Sequence, residues 1–184
     1  MASPVIVVLA SGRGERFIAS GGSGSKLQAL LGGRPVLDRT LAAVRASGLA
    51  WHIEDRGHAG MGDSIAAAVA ATQDAGGWLI LPGDLPLVRP ESLQAVAAAL
   101  TQHSVVLPRY QGAAGHPVGF AVSCRDALLQ LAGAQGAAPV VRAQRALNAV
   151  GELDLDDPGI VTDIDTAQDL AHAERMLSRA PRAT

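Results

Sequence analysis

The chain has a single cysteine, Cys124, in 184 residues. No disulfide can form within it, and a reducing compartment is the natural expectation. Cys124 itself reads as a buried, inert thiol. Aromatic residues make up only 3% of the sequence, so the core must be built from aliphatic side chains. No apolar run reaches the roughly 18 residues that a membrane helix needs. The first ten residues lack the basic start of a secretory signal, and a cytoplasmic protein is expected. Net charge is −2 with no block of like charges, which argues against a partner recognised through a broad basic face, nucleic acid above all. Lysine is the scarcest charged residue: Lys26 is the only one, against fourteen arginines.

Apolar residues nevertheless make up 48% of the chain, and its length suits one domain, residues 1–184, with a sizeable core. Residues 4–9 form a short, β-branched, apolar run, the pattern of a strand buried on both faces. Residues 78–81 and 105–107 read the same way. Between them lie helical periodicities at 35–46, 63–74 and 90–100, the last opened by Pro90 at a first-turn position. Asp63 or Gly62 is the expected cap of the 63–74 helix. A short strand is expected at 51–55 and another at 117–122. Two further helices are expected near 124–131 and 139–149, and a final one runs to Leu177 behind Asp165 or Thr166 as cap. Residues 178–184 read as a frayed, disordered tail. Alternation of strand and helix places the chain in the α/β class with a mostly parallel, covered sheet.

Two odd stretches follow strands directly. Residues 9–26, LASGRGERFIASGGSGSK, hold five glycines and three cations against one acid. Backbone N–H groups in such a turn suit an anion. The Walker spacing fails because Ser25 precedes Lys26, and the dinucleotide spacing fails because Phe17 stands where glycine is needed. A mobile surface loop would read the same. Gly83-Asp84 follows the second strand. A carboxylate there suits a hard divalent ion, and a turn-forming Asp fits as well. Asp163 and Asp165 serve either as helix-capping residues or as further oxygen ligands. His116, between Gly115 and Pro117, has no metal-ligand spacing to any other histidine. No Ser/His/Asp or Cys/His catalytic set can be assembled. Because ligands in open α/β sheets bind beyond the carboxyl ends of the strands, the two stretches are expected to meet.

Taken in order, Leu9-Ala10-Ser11-Gly12, Arg16, Lys26, Gly60-Met61 with Ser64, Gly83-Asp84-Leu85-Pro86, Gly115-His116-Pro117 and Asp163-Ile164-Asp165-Thr166 resemble the MobA-like nucleotidyltransferases, particularly their molybdenum cofactor cytidylyltransferase branch. The resemblance runs from about Val5 to Leu177. It implies a three-layer, Rossmann-like nucleotidyltransferase (GT-A-like) fold. It also implies transfer of a nucleotidyl group from an NTP, CTP ahead of GTP, to a phosphorylated small-molecule acceptor, with release of pyrophosphate and a handover to a molybdoenzyme or its chaperone. Carried over by position, Leu9, Ala10, Ser11, Gly12, Arg13 and Gly14 face base and phosphates. Arg16 and Lys26 hold the triphosphate. Gly60, Met61 and Ser64 line the nucleotide pocket beside Gly83. Asp84 and Asp165 ligate Mg²⁺, and His116 lies on the acceptor side. The chain departs from the family in the wide gap between Arg16 and Lys26 and in the short connection from Gly48 to Gly60. A nucleotide-binding regulatory module and a nucleotide-sugar glycosyltransferase are the competing readings.

Overall fold

The computed structural model describes residues 2–12 and 14–179. In chain order the elements are β1 (Val5–Leu9), α1 (Glu15–Ala19), β2 (Leu30–Leu31), β3 (Arg34–Pro35), α2 (Val36–Ala46), β4 (Ala50–Glu54), α3 (Met61–Ala71), β5 (Gly77–Pro82), α4 (Pro90–Ala99), β6 (Val105–Tyr110), β7 (Ala113–Ala114), β8 (Val118–Ala121), α5 (Arg125–Leu129), α6 (Ala138–Ala146), β9 (Val150–Asp154) and α7 (Ala167–Arg179). Short 3₁₀ turns occupy Val122–Cys124 and Pro158–Val161.

The central sheet has seven strands in the order β4-β1-β5-β8-β6-β7, with β9 paired to β6. β1 pairs in parallel with both β4 and β5, and β6 with β9. β8 inserts antiparallel between β5 and β6, so the sheet is mostly parallel, as the alternating elements predict. Strand geometry then separates the core into two layers, because successive side chains point to opposite faces. Val5, Val7, Trp78, Ile80 and Phe120 pack with Ile65 and Val69 of α3 and with Leu128 and Val140. Ile6, Val8, Leu79, Leu81 and Val106 pack on the other face with Leu41 and Val44 of α2 and with Leu93 and Val96 of α4. A third cluster joins Phe17, Leu27, Leu31 and Val36 to Ile164 and Ala173 of α7. The result is a three-layer α/β/α sandwich with a lateral α1–hairpin–α7 pad.

Several elements differ from the sequence reading. Helix α1 and the β2–β3 hairpin lie inside or just after the stretch read as an open glycine loop. One of those glycines is there for packing, since a Cβ at Gly22 would run into the Phe17 ring. Helix α3 begins at Met61 and is capped by neither expected residue: Asp63 lies inside the helix and its carboxylate accepts from the Gly133 N–H at 2.9 Å. Helix α6 stops at Ala146, not Ala149, because Asn148 adopts a left-handed φ of 54° and closes the helix end. The next residues form β9, a strand absent from the sequence reading. Helix α7 runs on to Arg179, two residues into the expected tail; residues 180–184 of that tail lie outside the described residues. Its start is as expected. The Thr166 hydroxyl accepts from the Asp169 N–H at 3.1 Å, and the Asp169 carboxylate accepts from the Thr166 N–H at 2.7 Å, a reciprocal cap that leaves the Asp165 side chain free for other work.

The segment that delivers Asp163 and Asp165 hangs on a buried carboxylate. Asp157, 2% exposed, accepts from Ser92 Oγ at 2.6 Å, Gly159 N–H at 2.8 Å and Arg89 N–H at 2.9 Å. It ties the start of α4 to the 3₁₀ turn that follows β9. Replacing it strands three donors, two of them backbone amides. Asp157→Ala is expected to lose about 2–4 kcal/mol, and thermal unfolding should show a Tm lower by about 5–15 °C.

Candidate active site

The register sets the site. Leu9 lies opposite both Glu54 and Pro82, so β4, β1 and β5 end level with one another. The chain crosses from β4 through α3 to β5, passing over β1, which makes the β1/β5 boundary the point where the winding reverses. That is where α/β sheets bind ligands. Gly83 is held close: its N–H donates to Leu9 O at 2.9 Å, its carbonyl accepts from Thr40 Oγ1 at 2.9 Å, and an added Cβ would lie 3.0 Å from both Leu37 and Leu9 O. The tight packing of β5 against β1 and α2 therefore fixes the backbone from which Asp84 projects.

At this edge the single lysine meets two carboxylates. Lys26 Nζ donates to Asp84 Oδ2 at 2.6 Å and to Asp165 Oδ1 at 2.7 Å. Arg16 adds an ion pair to Asp165 Oδ2 at 2.8 Å. The Lys26 and Asp84 side chains are each only 13% exposed, whereas Arg16 is 80% exposed, so the lysine pair is the strong one and the arginine is held loosely. Burial works against the Lys26 charge, yet Asp84 and Asp165 outweigh it and hold the ammonium pKa above its ordinary value. Asp84 Oδ1 is buried without a hydrogen-bond partner among the described residues. Asp163 stands nearby, its pKa raised by desolvation and by the neighbouring carboxylates of Asp84, Asp165 and Asp169.

Two cavities meet at this cluster. The first, about 370 Å³, is lined by Leu9, Ser11 and Gly12, by Lys26, by Gly60, Met61 and Ser64, and by Gly83 and Asp84. The glycine-loop and α3 sides touch, with Ser11 Oγ and Ser64 Oγ 3.5 Å apart. Gly60 is required by packing, because a Cβ there would collide with Gly133 O. The second cavity, about 330 Å³, is lined by Arg16, Lys26, Met61, Asp84, His116 and Asp165, among others. Lys26, Met61, Pro82 and Asp84 belong to both.

Most of the residues singled out in the sequence thus converge. Ala10 and Gly14 are exceptions, since neither lines a cavity. Ala10 packs against the α1 pad and donates its N–H to Glu54 O at 2.9 Å. Gly14 stands behind Lys26 at a left-handed φ of 64°, where it starts α1. Arg13 lies outside the described residues. The wide spacing between Arg16 and Lys26 is absorbed by α1 and the loop after it, and Lys26 still reaches Asp84. Cys124 is buried, its thiol pKa raised by that burial, and takes no part.

For a divalent ion the donor set fits. Two carboxylates already converge on one cation, and among the described residues one oxygen, Asp84 Oδ1, has no partner. Among the described residues no group of three or more His, Cys, Asp or Glu side chains is arranged to hold a metal. An oxygen-seeking ion such as Mg²⁺ commonly takes one or two carboxylates and completes its shell with phosphate and water.

Glu54, at the end of β4, was given no role by the sequence. Its carboxylate is 1% exposed. It accepts from Arg56 Nε and Nη2, each at 3.0 Å, and lies 3.1 Å from His58 Nε2. His58 lines the first cavity. Glu54 thus pins the 55–60 loop to the sheet edge. A buried acid flanked by a histidine four residues on is a signal only once the loop is seen to fold back.

The family described as the MobA-like NTP transferase domain matches residues 42–149. Over 115 residues, 50% of this chain, the sequence is 35% identical to the bifunctional protein GlmU of Alkalilimnicola ehrlichii; the aligned part spans only 24% of that protein. The fold is similar to that of Rv0371c from Mycobacterium tuberculosis H37Rv in its complex with manganese, with 22% identity, TM-score 0.74, and coverage of 95% of this chain and 99% of that one. It is also similar to molybdopterin-guanine dinucleotide biosynthesis protein A from Archaeoglobus fulgidus, with 18% identity, TM-score 0.63, and coverage of 96% and 100%.

The Arg56 guanidinium, ahead of the opposing effect of burial and with help from His58, holds the Glu54 pKa down to about 2. A lowered folded-state pKa stabilises the protein above the unfolded value of 4.5, and that stabilisation disappears as pH falls toward about 2. Glu54→Gln is expected to cost roughly 2–3 kcal/mol at pH 7. Urea unfolding of both proteins at several pH values should show the gap narrowing steadily below the ordinary carboxylate range.

Proposed function

The chain belongs to the MobA-like NTP transferase family, and on that premise we propose that it moves a nucleotidyl group from an NTP to a phosphorylated small-molecule acceptor of the molybdopterin type. CTP is the expected donor, with GTP second. The observation that carries the reading is the convergence of Lys26, Asp84 and Asp165 where two cavities join. One cavity carries the glycine turn and the start of α3; the other carries His116. A two-substrate transfer needs that layout, with both substrates reaching one charged point from different sides.

In the reaction an oxygen of the acceptor phosphate forms a bond to the α-phosphorus. The bond from that phosphorus to the bridging oxygen breaks, and its electron pair leaves with pyrophosphate. Negative charge grows on the leaving group. Lys26 is the compact, nearly buried cation at the junction, and Arg16 is the exposed one; both would neutralise phosphate oxygens. Asp84 and Asp165 would hold Mg²⁺, which when bound lowers the cost of bringing two phosphate groups together. The manganese complex of Rv0371c supports a divalent ion at a site of this fold. Leu9, Ser11, Gly12, Gly60, Met61, Ser64 and Gly83 would line the nucleotide, and His116 would face the acceptor. The product would pass to a molybdoenzyme or its chaperone. Among the described residues no helix is long and apolar enough to cross a membrane.

Asp84→Asn keeps the side chain's shape and removes its charge. Calorimetric titration with CTP is expected to show equal affinity for both proteins in EDTA and a loss of the Mg²⁺-dependent gain in the variant. Equal Mg²⁺ enhancement would rule out Asp84 as a ligand. Lys26→Met is expected to lower turnover by about a hundred- to a thousand-fold. It should also tighten binding of Mn²⁺ alone, read by electron paramagnetic resonance, because the ammonium no longer competes for the same oxygens. Unchanged Mn²⁺ affinity would mean that the metal binds elsewhere.

A further inference from the structure

An open sheet ends in two edge strands, whose outer backbone groups can pair with another chain. The two edges of this sheet are built differently. Phe120 and Val150 both lie opposite Val105, so β8 and β9 flank β6, and β9 is one edge. Its Glu152 and Asp154 are exposed, and charges so placed keep an edge from pairing. The other edge is β4. It contains neither lysine nor proline. Its register with β1 is unbroken from Ala50 to Glu54, so no bulge twists it away. Its one acid, Glu54, is 1% exposed and turned to Arg56 and His58. What β4 offers to solvent instead is Ala50 and the ring of Trp51, both exposed.

Backbone direction decides what this edge can bond. Glu54 O accepts from the Ala10 N–H at 2.9 Å, so the backbone of Glu54 faces β1. Alternation along the strand gives His52 and Ala50 the same direction. It turns the N–H and C=O of Trp51 and Ile53 to the open side, where among the described residues no strand meets them. Trp51 and Ile53 stand symmetrically about His52. An antiparallel copy of the strand, with His52 on the two-fold axis, therefore sets Trp51 opposite the partner's Ile53 and Ile53 opposite the partner's Trp51. Every outward N–H then meets an outward C=O. A slide by one residue sets outward groups against inward ones. A slide by two pairs Ile53 with Leu49, whose N–H is already given to Ser47 Oγ at 3.3 Å, or Trp51 with Asp55 beyond the strand end.

We infer that the β4 edge binds a second copy of this chain, through a two-fold antiparallel β4–β4 pair centred on His52 that joins two seven-stranded sheets into one. The side chains match in that register. Trp51 and Ile53 lie beside Ile6 and Val8, on the α2 face of the sheet. Trp51 therefore packs against the partner's Ile53, a cross-strand aromatic–β-branched pair. The partner's Asp55, next on the same face, becomes the diagonal neighbour of Trp51. The Arg45 guanidinium already lies over the Trp51 ring, 5.4 Å from its centroid. Arg45 and Asp55 are both exposed, so each end of the pair gains an Arg45–Asp55 attraction between copies. A strand with the charges in any other order would not be complementary to itself.

Sedimentation velocity of the full chain, from micromolar to submillimolar protein, should show the wild type passing from monomer to dimer. Arg45→Glu sets like charges at both ends of the pair and should raise the dimer Kd about tenfold. Adding Asp55→Arg restores opposite signs and should recover the wild-type Kd. His52→Cys tests the register. Facing residues of a non-hydrogen-bonded antiparallel pair have Cα atoms about 4.5 Å apart, within reach of a disulfide. With oxidised glutathione as the electron acceptor, His52→Cys should form a covalent dimer on a non-reducing gel. Leu147→Cys, exposed and just before the opposite edge strand, is the control for chance collision, and Cys124 is buried. A wild type that stays monomeric throughout overturns the inference. So does a dimer in which His52→Cys cross-links no faster than Leu147→Cys, because the copies then meet through another face.

Discussion

The Lys26 ammonium, shared by Asp84 and Asp165 at 2.6 and 2.7 Å, is the contact on which the geometry of the site depends. Asp84 comes from the end of β5, Asp165 from the approach to α7, and Lys26 from the far side of the glycine stretch. Bare carboxylates so close together would repel and would have to be hydrated. The ammonium removes the repulsion and draws three distant segments to one point. Such a pair is costly to break from one side, since a lone buried charge is left behind. It is replaceable by another cation, because the oxygens are already arranged. The same contact therefore holds the ligand-free fold together and, on the proposed reading, marks where positive charge would be wanted during the reaction.

Everything that holds this contact in place is polar work done at strand and helix ends. Gly83 sits where only a backbone fits, wedged against Leu9 O and Leu37. Ile164 N–H donates to Asp84 O at 3.0 Å, so the two acidic segments are tied through the main chain as well as through Lys26. Asp157 anchors the preceding turn, and the Thr166–Asp169 cap anchors the following helix. On the opposite side Glu54 binds its own loop and offers its carbonyl to Ala10. The loops around the cavity are thus fixed by carboxylates whose donors are backbone amides, hydroxyls and an arginine. That economy suits a chain with one lysine and few aromatic residues, where large side chains are not available to brace a loop by packing.

The sequence carried the layers better than the site. β1 and β5 were legible because a strand buried on both faces leaves an uninterrupted apolar run, and α4 because Pro90 marks its start. Thr166 was legible only as one of two candidate caps beside Asp165, and the structure selects it through Asp169. β9 was not legible: Val150-Gly151-Glu152-Leu153-Asp154 is only partly buried and contains the glycine and acids of a loop. Helix α1 was hidden by the glycines around it. Lys26, Asp84 and Asp165 stood out singly, yet nothing local tells that one ammonium bridges both acids, because the contact spans |i−j| of 58 and 139. Glu54 was missed for a related reason. At the end of a strand an acid reads as a solvated terminus, and only the return of Arg56 and His58 buries it.

The short connection after β4 completes the logic of the site. With no room between Gly48 and Gly60 for another strand and its crossover, β4 pairs directly with β1 and becomes the edge of the sheet. The chain must then turn at once into α3 to reach β5 on the other side of β1. Residues 55–60 make that turn beside the ends of β1 and β4, mostly exposed, with His58 and Gly60 half-buried against the first cavity. A loop so short has few conformations to lose, but it carries Arg56 and His58 over a sheet end with no further strand to cover it. The buried Glu54 carboxylate answers that problem, gripping both side chains and the Arg56 amide. The short connection therefore leaves the first cavity bordered on this side by an ion-paired loop, and His58, Ala59 and Gly60 of that turn form part of its wall.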